Sequence, residues 1–200
     1  MVRRIVLARH GESVANVEHR FANRALGPPL TATGLDQADA LARSLADQGI
    51  GLVVTSPLLR ARGTARVVAH ALDVPLEVAE ALREYDVGAF EGTTDAAHWA
   101  AYERTEAAWD AGEWTARTGD GESLAEIEER LTGWFAEVRA RPGPEVVLAV
   151  SHGGVLRRLL PRVVRSQDAD LVRGLTLPTT GYVVLALPDD PSSAAAVVHV

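Results

Sequence analysis

Short blocks of consecutive apolar residues alternate along this chain with longer stretches in which apolar positions recur every three or four residues. That alternation predicts strands separated by amphipathic helices. The strand blocks are Arg3 to Ala8, Leu52 to Thr55, Val146 to Val150 and Tyr182 to Leu187, with weaker candidates at Leu76 to Val78 and Ala195 to Val200. Between them, Ala38, Leu41, Ala42 and Leu45 form a stripe at helical spacing, and Gly49 is its predicted C-cap. Ser56-Pro57 offers a hydroxyl N-cap followed by proline at the first helical position, so a helix is expected from there towards Ala71 with Arg60 in its first turn. Ser123 and Glu126 have capping-box spacing, and Leu124, Ile127, Leu131, Trp134, Phe135 and Val138 then trace a long apolar face that Pro142 and Pro144 stop. Gly153-Gly154 opens a further helix through Val155 to Leu160, which Pro161 is predicted to end or kink.

Strands alternating with helices of this length predict a largely parallel sheet covered on both faces, an α/β fold arranged as a three-layer α/β/α sandwich. Gly92 to Gly119 departs from the alternation: Trp99, Tyr102, Trp109 and Trp114 lie among acidic residues, which suits a small helical cap outside the repeat. The 200 residues, 47% of them hydrophobic, suffice for one domain spanning 1–200, with 92–119 as the cap excursion. A chain of this size buries roughly 70% of the surface its unfolded form exposes.

Composition narrows the chemistry. Without cysteine there is no thiol nucleophile, disulfide or thiolate metal site, and without lysine there is no Schiff base, since all 20 basic residues are arginine. A net charge of −7 argues against a nucleic-acid partner, and no apolar run is long enough for a signal-peptide core or a membrane span, so a cytoplasmic protein with no membrane partner is expected. Nothing in the sequence decides oligomeric state, and a homodimer stays open.

Two histidines follow two of the strand blocks, His10 in Arg9-His10-Gly11-Glu12-Ser13 and His152 in Ser151-His152-Gly153-Gly154. If those strands are parallel neighbours, both imidazoles open into the crevice at the carboxyl edge of the sheet, where open α/β folds bind ligands. An imidazole flanked by guanidiniums suits phosphoryl transfer. His10 is the candidate nucleophile, because a neutral imidazole attacks phosphorus without first losing a proton, and a bond from its other ring nitrogen to a carbonyl would fix the tautomer. Arg9 and Arg60 offer planar forks to phosphoryl oxygens, Asn16 a neutral donor, and His152 with the amides at Gly153 a cradle for developing charge. The glycine pair is equally compatible with a turn that needs unusual dihedrals. His19, His70, His98 and His199 read as ordinary surface or core residues, and Arg62, Arg66, Arg157 and Arg158 as exposed helix charges.

In order along the chain, Leu7-Ala8-Arg9-His10-Gly11-Glu12-Ser13 with Asn16, Pro29-Leu30-Thr31 with Gly34 and Gln37-Ala38, Ser56-Pro57-Leu58-Leu59-Arg60-Ala61 with Thr64-Ala65, Leu82-Arg83-Glu84 with Gly88 and Glu91-Gly92, Gly121-Glu122-Ser123, and Ser151-His152-Gly153-Gly154 resemble the histidine phosphatase superfamily, also called phosphoglycerate mutase-like. The resemblance implies that His10 is phosphorylated during turnover, that Arg9, Arg60 and His152 complete the phosphate pocket with Asn16, and that Glu84 is the proton donor to the leaving oxygen. Asp86, two residues on, is the reserve candidate. The implied reaction needs neither metal nor cofactor. One segment departs from the family pattern: many relatives have a glycine-arginine pair and an aspartate before the proline-leucine-threonine segment, where this chain has Phe21-Ala22-Asn23-Arg24-Ala25-Leu26-Gly27-Pro28-Pro29-Leu30.

Hydrolysis of a phosphomonoester is therefore the expected function. Phosphoglycerate mutase-type transfer is the alternative, disfavoured by the compact middle region and the absence of lysine, and a catalytically idle binder of phosphorylated ligands is the third reading. The aromatic residues of the 92–119 segment could meet an apolar or ring-shaped leaving group or simply form its core. If Glu103, Glu106, Asp110 and Glu113 face the pocket they repel a polyanion, which favours a small monophosphate as the partner molecule.

Overall fold

The computed structural model of the chain describes residues 1–24, 26–190 and 193–199. In chain order the elements are β1 (Arg4–Arg9), α1 (Val14–Val17), α2 (Ala32–Ser44), β2 (Leu52–Thr55), α3 (Leu59–Leu72), β3 (Leu76–Val78), α4 (Ala96–Asp110), α5 (Leu124–Ala140), β4 (Val146–Ser151), α6 (Gly153–Val163), α7 (Ala169–Val172), β5 (Tyr182–Ala186) and β6 (Ala196–His199). The strands form one six-stranded sheet in the order β3-β2-β4-β1-β5-β6. β3, β2, β4 and β1 pair in parallel, while β5 runs antiparallel to both β1 and β6. The fold is α/β, with helices on both faces of a mostly parallel sheet.

Strand alternation sorts the core into two layers. Ile5, Leu7, Val147, Ala149, Leu52 and Val54 pack with Ile127, Leu131, Leu156 and Leu159 of α5 and α6. Val6, Ala8, Leu148, Val150 and Val53 face the other way, onto Leu41 and Ala42 of α2 and Ala61, Ala65 and Val68 of α3. The central strands are buried on both sides, which is why they read as unbroken apolar blocks rather than alternating ones.

Several element ends differ from the sequence expectation. α3 begins at Leu59, and its N-cap Leu58 makes no side-chain cap bond. Ser56 is spent elsewhere, accepting from Leu58 N at 3.3 Å and meeting His152 Nε2 at 2.7 Å. α2 stops at Ser44 and is prolonged by a 3₁₀ turn over Ala46–Gln48, so Gly49, at φ +70°, closes that turn and not the α-helix. α6 runs two residues past Pro161 to Val163, so the proline does not end it. The first strand is shifted by one residue from the apolar block, β5 ends one residue before Leu187, and Val200 of the last strand candidate lies outside the described residues. No helix among the described residues is long and apolar enough to cross a membrane.

Candidate active site

β1 and β4 are parallel neighbours in a register that pairs Arg9 with Ser151, so the next residues, His10 and His152, leave the sheet side by side at its carboxyl edge. Their ring centroids are 5.0 Å apart in an edge-on arrangement. Both side chains are buried, at 3% and 0% exposure. Beside His10 opens a cavity of about 260 Å³ lined by Arg9, His10, Asn16, Arg60, Glu84 and Gly153, and also by Arg20, Phe21, Trp99, Tyr102, Glu106 and Arg157, whereas His152 does not line it.

The hydrogen bonds settle the state of His10. Its Nδ1 lies 2.7 Å from the carbonyl oxygen of Gly11, which can only accept, so Nδ1 carries the proton and Nε2 presents a lone pair. Arg60 Nε donates to that nitrogen at 3.0 Å. Burial, and then the charge of Arg60, push the His10 pKa well below that of an ordinary histidine, partly offset by the Gly11 bond. His10 is therefore a neutral imidazole whose unprotonated Nε2 accepts from Arg60. Arg60, 5% exposed, is fixed by its NH1 donating to Ala22 O at 2.6 Å and its NH2 to Asn23 Oδ1 at 3.4 Å, and burial draws its pKa down to about 10. Arg9 donates from NH1 to Leu177 O at 2.8 Å, while its buried Nε has no partner among the described residues. Asn16 spends its carbonyl oxygen on Ser13 in the capping box of α1, which leaves its amide group at the cavity wall.

Glu84 sits at the start of α6. Gly154 N and Val155 N donate to its two carboxylate oxygens, each at 3.0 Å, and Tyr85 N adds a third bond at 3.1 Å. Burial raises its pKa above the usual carboxylate range against the opposing pull of Arg60 and of the amides of Tyr85 and Gly154. Gly154 gains a different meaning from either sequence reading, while Gly153 stays at the cavity wall. Neither glycine has a positive φ, so unusual dihedrals are not the reason for them. The amides of Gly154 and Val155 are committed to Glu84 and do not cradle an oxyanion. Gly154 is needed for space: a Cβ there would stand 2.6 Å from Glu84 Oε1 and 2.6 Å from Tyr85. Gly153 lies against the Arg9 guanidinium.

Other expected residues fall away from the cavity. Asp86 does not line it; its carboxylate accepts from Arg24 Nε at 2.7 Å and from Gly88 N, so the reserve acid is a turn and ion-pair residue. Of the aromatic set, Trp99 and Tyr102 line the cavity. Trp109 is core, and Trp114, 45% exposed, packs under Arg162. Both faces of Trp99 are covered, by His19 at 4.1 Å and Phe21 at 3.9 Å between centroids, so it has no free face for a substrate ring. Of the acidic set only Glu106 reaches the cavity, paired with Arg157 at 3.3 Å and Arg158 at 3.2 Å. Arg158 is buried and Arg157 lines the cavity, so the expectation of exposed helix charges fails for these two, because Glu106 and Asp110 of α4 hold them.

Residues that sequence reasoning missed include Asn23, whose Nδ2 donates to Tyr85 O at 2.9 Å while Oδ1 receives Arg60, so one amide ties the Glu84 segment to the phosphate-pocket arginine. Glu91 holds Asn23 in place by accepting from its N–H. Asn23 lies in the very segment that departs from the family pattern, and that departure was the available signal.

Comparison with known proteins bears on this arrangement directly. A model of the histidine phosphatase superfamily (branch 1) matches residues 5–197. The chain belongs to that superfamily. It is 34% identical over 170 residues to an adenosylcobalamin/alpha-ribazole phosphatase of Salmonella typhimurium, covering 84% of this chain and 83% of the relative. It is 31% identical over 156 residues to a probable phosphoglycerate mutase of Yersinia enterocolitica, covering 78% and 72%. Among solved structures, a mycobacterial glucosyl-3-phosphoglycerate phosphatase in complex with VO3 superposes with a TM-score of 0.78 at 28% identity, covering 92% of this chain and 93% of that one. A putative alpha-ribazole-5'-P phosphatase from Escherichia coli gives 0.79 at 26%, covering 100% and 97%. The present protein is thus a histidine phosphatase-type enzyme, and its cavity at the sheet edge is the candidate active site.

Proposed function

We propose that this histidine phosphatase hydrolyses a small phosphomonoester through a phosphohistidine on His10, with Glu84 as the proton donor. The observation that carries the reading is the tautomer of His10: Nδ1 is tied to a carbonyl, and Nε2, unprotonated and accepting only from Arg60 Nε, lies at a cavity that also holds Arg9, Arg60 and Glu84. In the first step Arg60 Nε turns from Nε2 to a phosphoryl oxygen, the freed Nε2 lone pair forms a bond to phosphorus, the bond from phosphorus to the ester oxygen breaks, and protonated Glu84 passes its proton to the leaving alkoxide. In the second, water adds to phosphorus, its proton goes to the Glu84 carboxylate, and the N–P bond breaks to release phosphate and restore His10. Arg9 and Arg60 oppose the negative charge of the transferred group throughout, with Asn16 and His152 as neutral donors. The opposing influences on Glu84 suit a group that alternates between acid and base: burial favours the protonated form and the α6 amides favour the carboxylate.

A small monophosphate is supported by the modest cavity, whereas Glu106, paired with Arg157 and Arg158, adds no repulsion of a polyanion. Phosphoglycerate mutase-type transfer is the second reading, favoured by the likeness to a probable mutase. The test is phosphate release from a panel of phosphomonoesters that includes 3-phosphoglycerate, in excess EDTA, with mutase turnover followed in parallel. Release by the wild type that survives EDTA and drops by at least about a thousandfold in His10→Ala is the expected result. Interconversion of phosphoglycerates without release would replace hydrolysis by the mutase reading, and inactivity in both assays would leave a binding protein.

A further inference from the structure

We propose that Ser56 is a positioning residue: its hydroxyl donates a hydrogen bond to His152 Nε2, so that the imidazole carries its proton on Nδ1 and offers that N–H to the transferred phosphoryl group. The proposal rests on the reading of His152 as part of the phosphate pocket.

The argument is an accounting of donors and acceptors in a dry site. Ser56 and His152 are both at 0% exposure, and Ser56 Oγ lies 2.7 Å from His152 Nε2. Oγ also accepts from Leu58 N at 3.3 Å, and Ser56 N donates to Val150 O at 3.0 Å, so the backbone fixes where the hydroxyl stands. His152 Nδ1 is buried and has no hydrogen-bonding partner among the described residues. Burial, followed by the charges of Arg60, His10 and Arg9, keeps the ring neutral, so it has one proton to place. If that proton sat on Nε2, Oγ would accept twice, the hydroxyl proton would have no acceptor, and Nδ1 would be a buried lone pair without a donor. If it sits on Nδ1, the hydroxyl donates to Nε2 and a single N–H is left over. Each buried polar group without a partner costs roughly 1–3 kcal/mol, so the second arrangement is favoured.

The leftover donor has a use. It belongs to a ring 5.0 Å from that of the nucleophile, within reach of the charges of Arg60 and Arg9. A bare nitrogen there would repel phosphoryl oxygens, whereas an N–H pairs with one. Both histidines then carry the proton on the same atom for different reasons: the Gly11 carbonyl sets it in His10 and leaves the attacking Nε2 unprotonated, and the Ser56 hydroxyl sets it in His152 and creates a donor. This also explains why α3 starts two residues later than Ser56-Pro57 suggests.

The test is a proton–nitrogen correlation spectrum of the full chain carrying ¹⁵N-labelled histidine, with the His152 signals assigned by their loss in His152→Gln. The wild type should show His152 with a protonated Nδ1 and a bare Nε2, and titration with inorganic phosphate should shift the Nδ1 proton. In Ser56→Ala the Nε2-protonated form should grow, the inhibition constant for inorganic phosphate should rise and kcat/KM should fall, each roughly tenfold, while His10 keeps its Nδ1 proton. A wild-type His152 protonated on Nε2, a Nδ1 proton indifferent to phosphate, or a Ser56→Ala protein with an unchanged His152 tautomer would each overturn the proposal. Should Ser56→Ala fail to fold, the wild-type spectrum and its phosphate titration decide. If no phosphomonoester is turned over the hydrolase reading fails, yet the spectra still answer for Ser56.

Discussion

At the residue scale, the chemistry depends on close approaches that leave no room for a methyl group. Gly154 lets the Glu84 carboxylate and the Tyr85 ring reach the first turn of α6, where a Cβ would stand 2.6 Å from each. Gly154→Ala should therefore lower kcat at least about tenfold by displacing the acid, with a loss of about 1–3 kcal/mol in stability from overpacking. Affinity for inorganic phosphate should change little, because Arg9 and Arg60, the proposed phosphate ligands, are not among the atoms nearest a Cβ at Gly154. Steady-state kinetics beside phosphate inhibition separates the two effects, and an unaltered kcat would show that Glu84 is not the proton donor.

At the element scale, α4 acts on the site through the loop after α1. Trp99 of α4 is stacked between His19 and Phe21 and donates from Nε1 to His19 O at 2.9 Å. Phe21 N also donates to Thr93 O, and Gly92 N to Phe21 O. The next residues, Ala22 and Asn23, hold the Arg60 guanidinium against His10. The helix thus braces the arginine and does not offer the Trp99 ring to substrate. Trp99→Ala should cost about 2–3 kcal/mol in urea unfolding and raise KM several-fold across all phosphomonoesters alike. A KM rise confined to esters with aromatic leaving groups would instead mean that the ring contacts substrate directly.

At the scale of the whole molecule, folding buries ionisable groups in the pocket, and stability must follow pH accordingly. The folded-state pKa values of His10 and His152 lie well below the ordinary histidine value of about 6.5. Between those lowered values and 6.5 the unfolded chain binds more protons, so stability falls as pH falls through that window, by up to about 1.4 kcal/mol per pH unit for each histidine. Glu84 has the opposite sign: its raised pKa means that the stability of its protonated form is lost as pH rises from 4.5. Comparing wild type with His152→Gln in denaturant titrations from pH 7.5 to 5 isolates one histidine, since Glu84 is common to both. The wild-type curve should fall more steeply below pH 6.5, and parallel curves would mean that His152 titrates normally in the folded state.

The sequence by itself determined the strand blocks, the α/β alternation, and the pairing of two histidine turns, because sheet strands buried on both faces must be continuously apolar and a turn at a strand end follows directly in the chain. Arg9, His10, Arg60, Glu84 and His152 were all legible as candidates from their local settings and the family pattern. What only the tertiary structure decided is which groups face one another across long separations. Asn23 with Tyr85, Ser56 with His152, and Arg157 and Arg158 with Glu106 are such pairs. The same separation hid the hold of Gly154 on Glu84 and the capture of Asp86 by Arg24. Local pattern encodes an element's own periodicity and caps. A side chain such as Ser56 satisfies a cap or a distant imidazole equally well on paper, and only packing, which brings one partner to 2.7 Å, chooses between them.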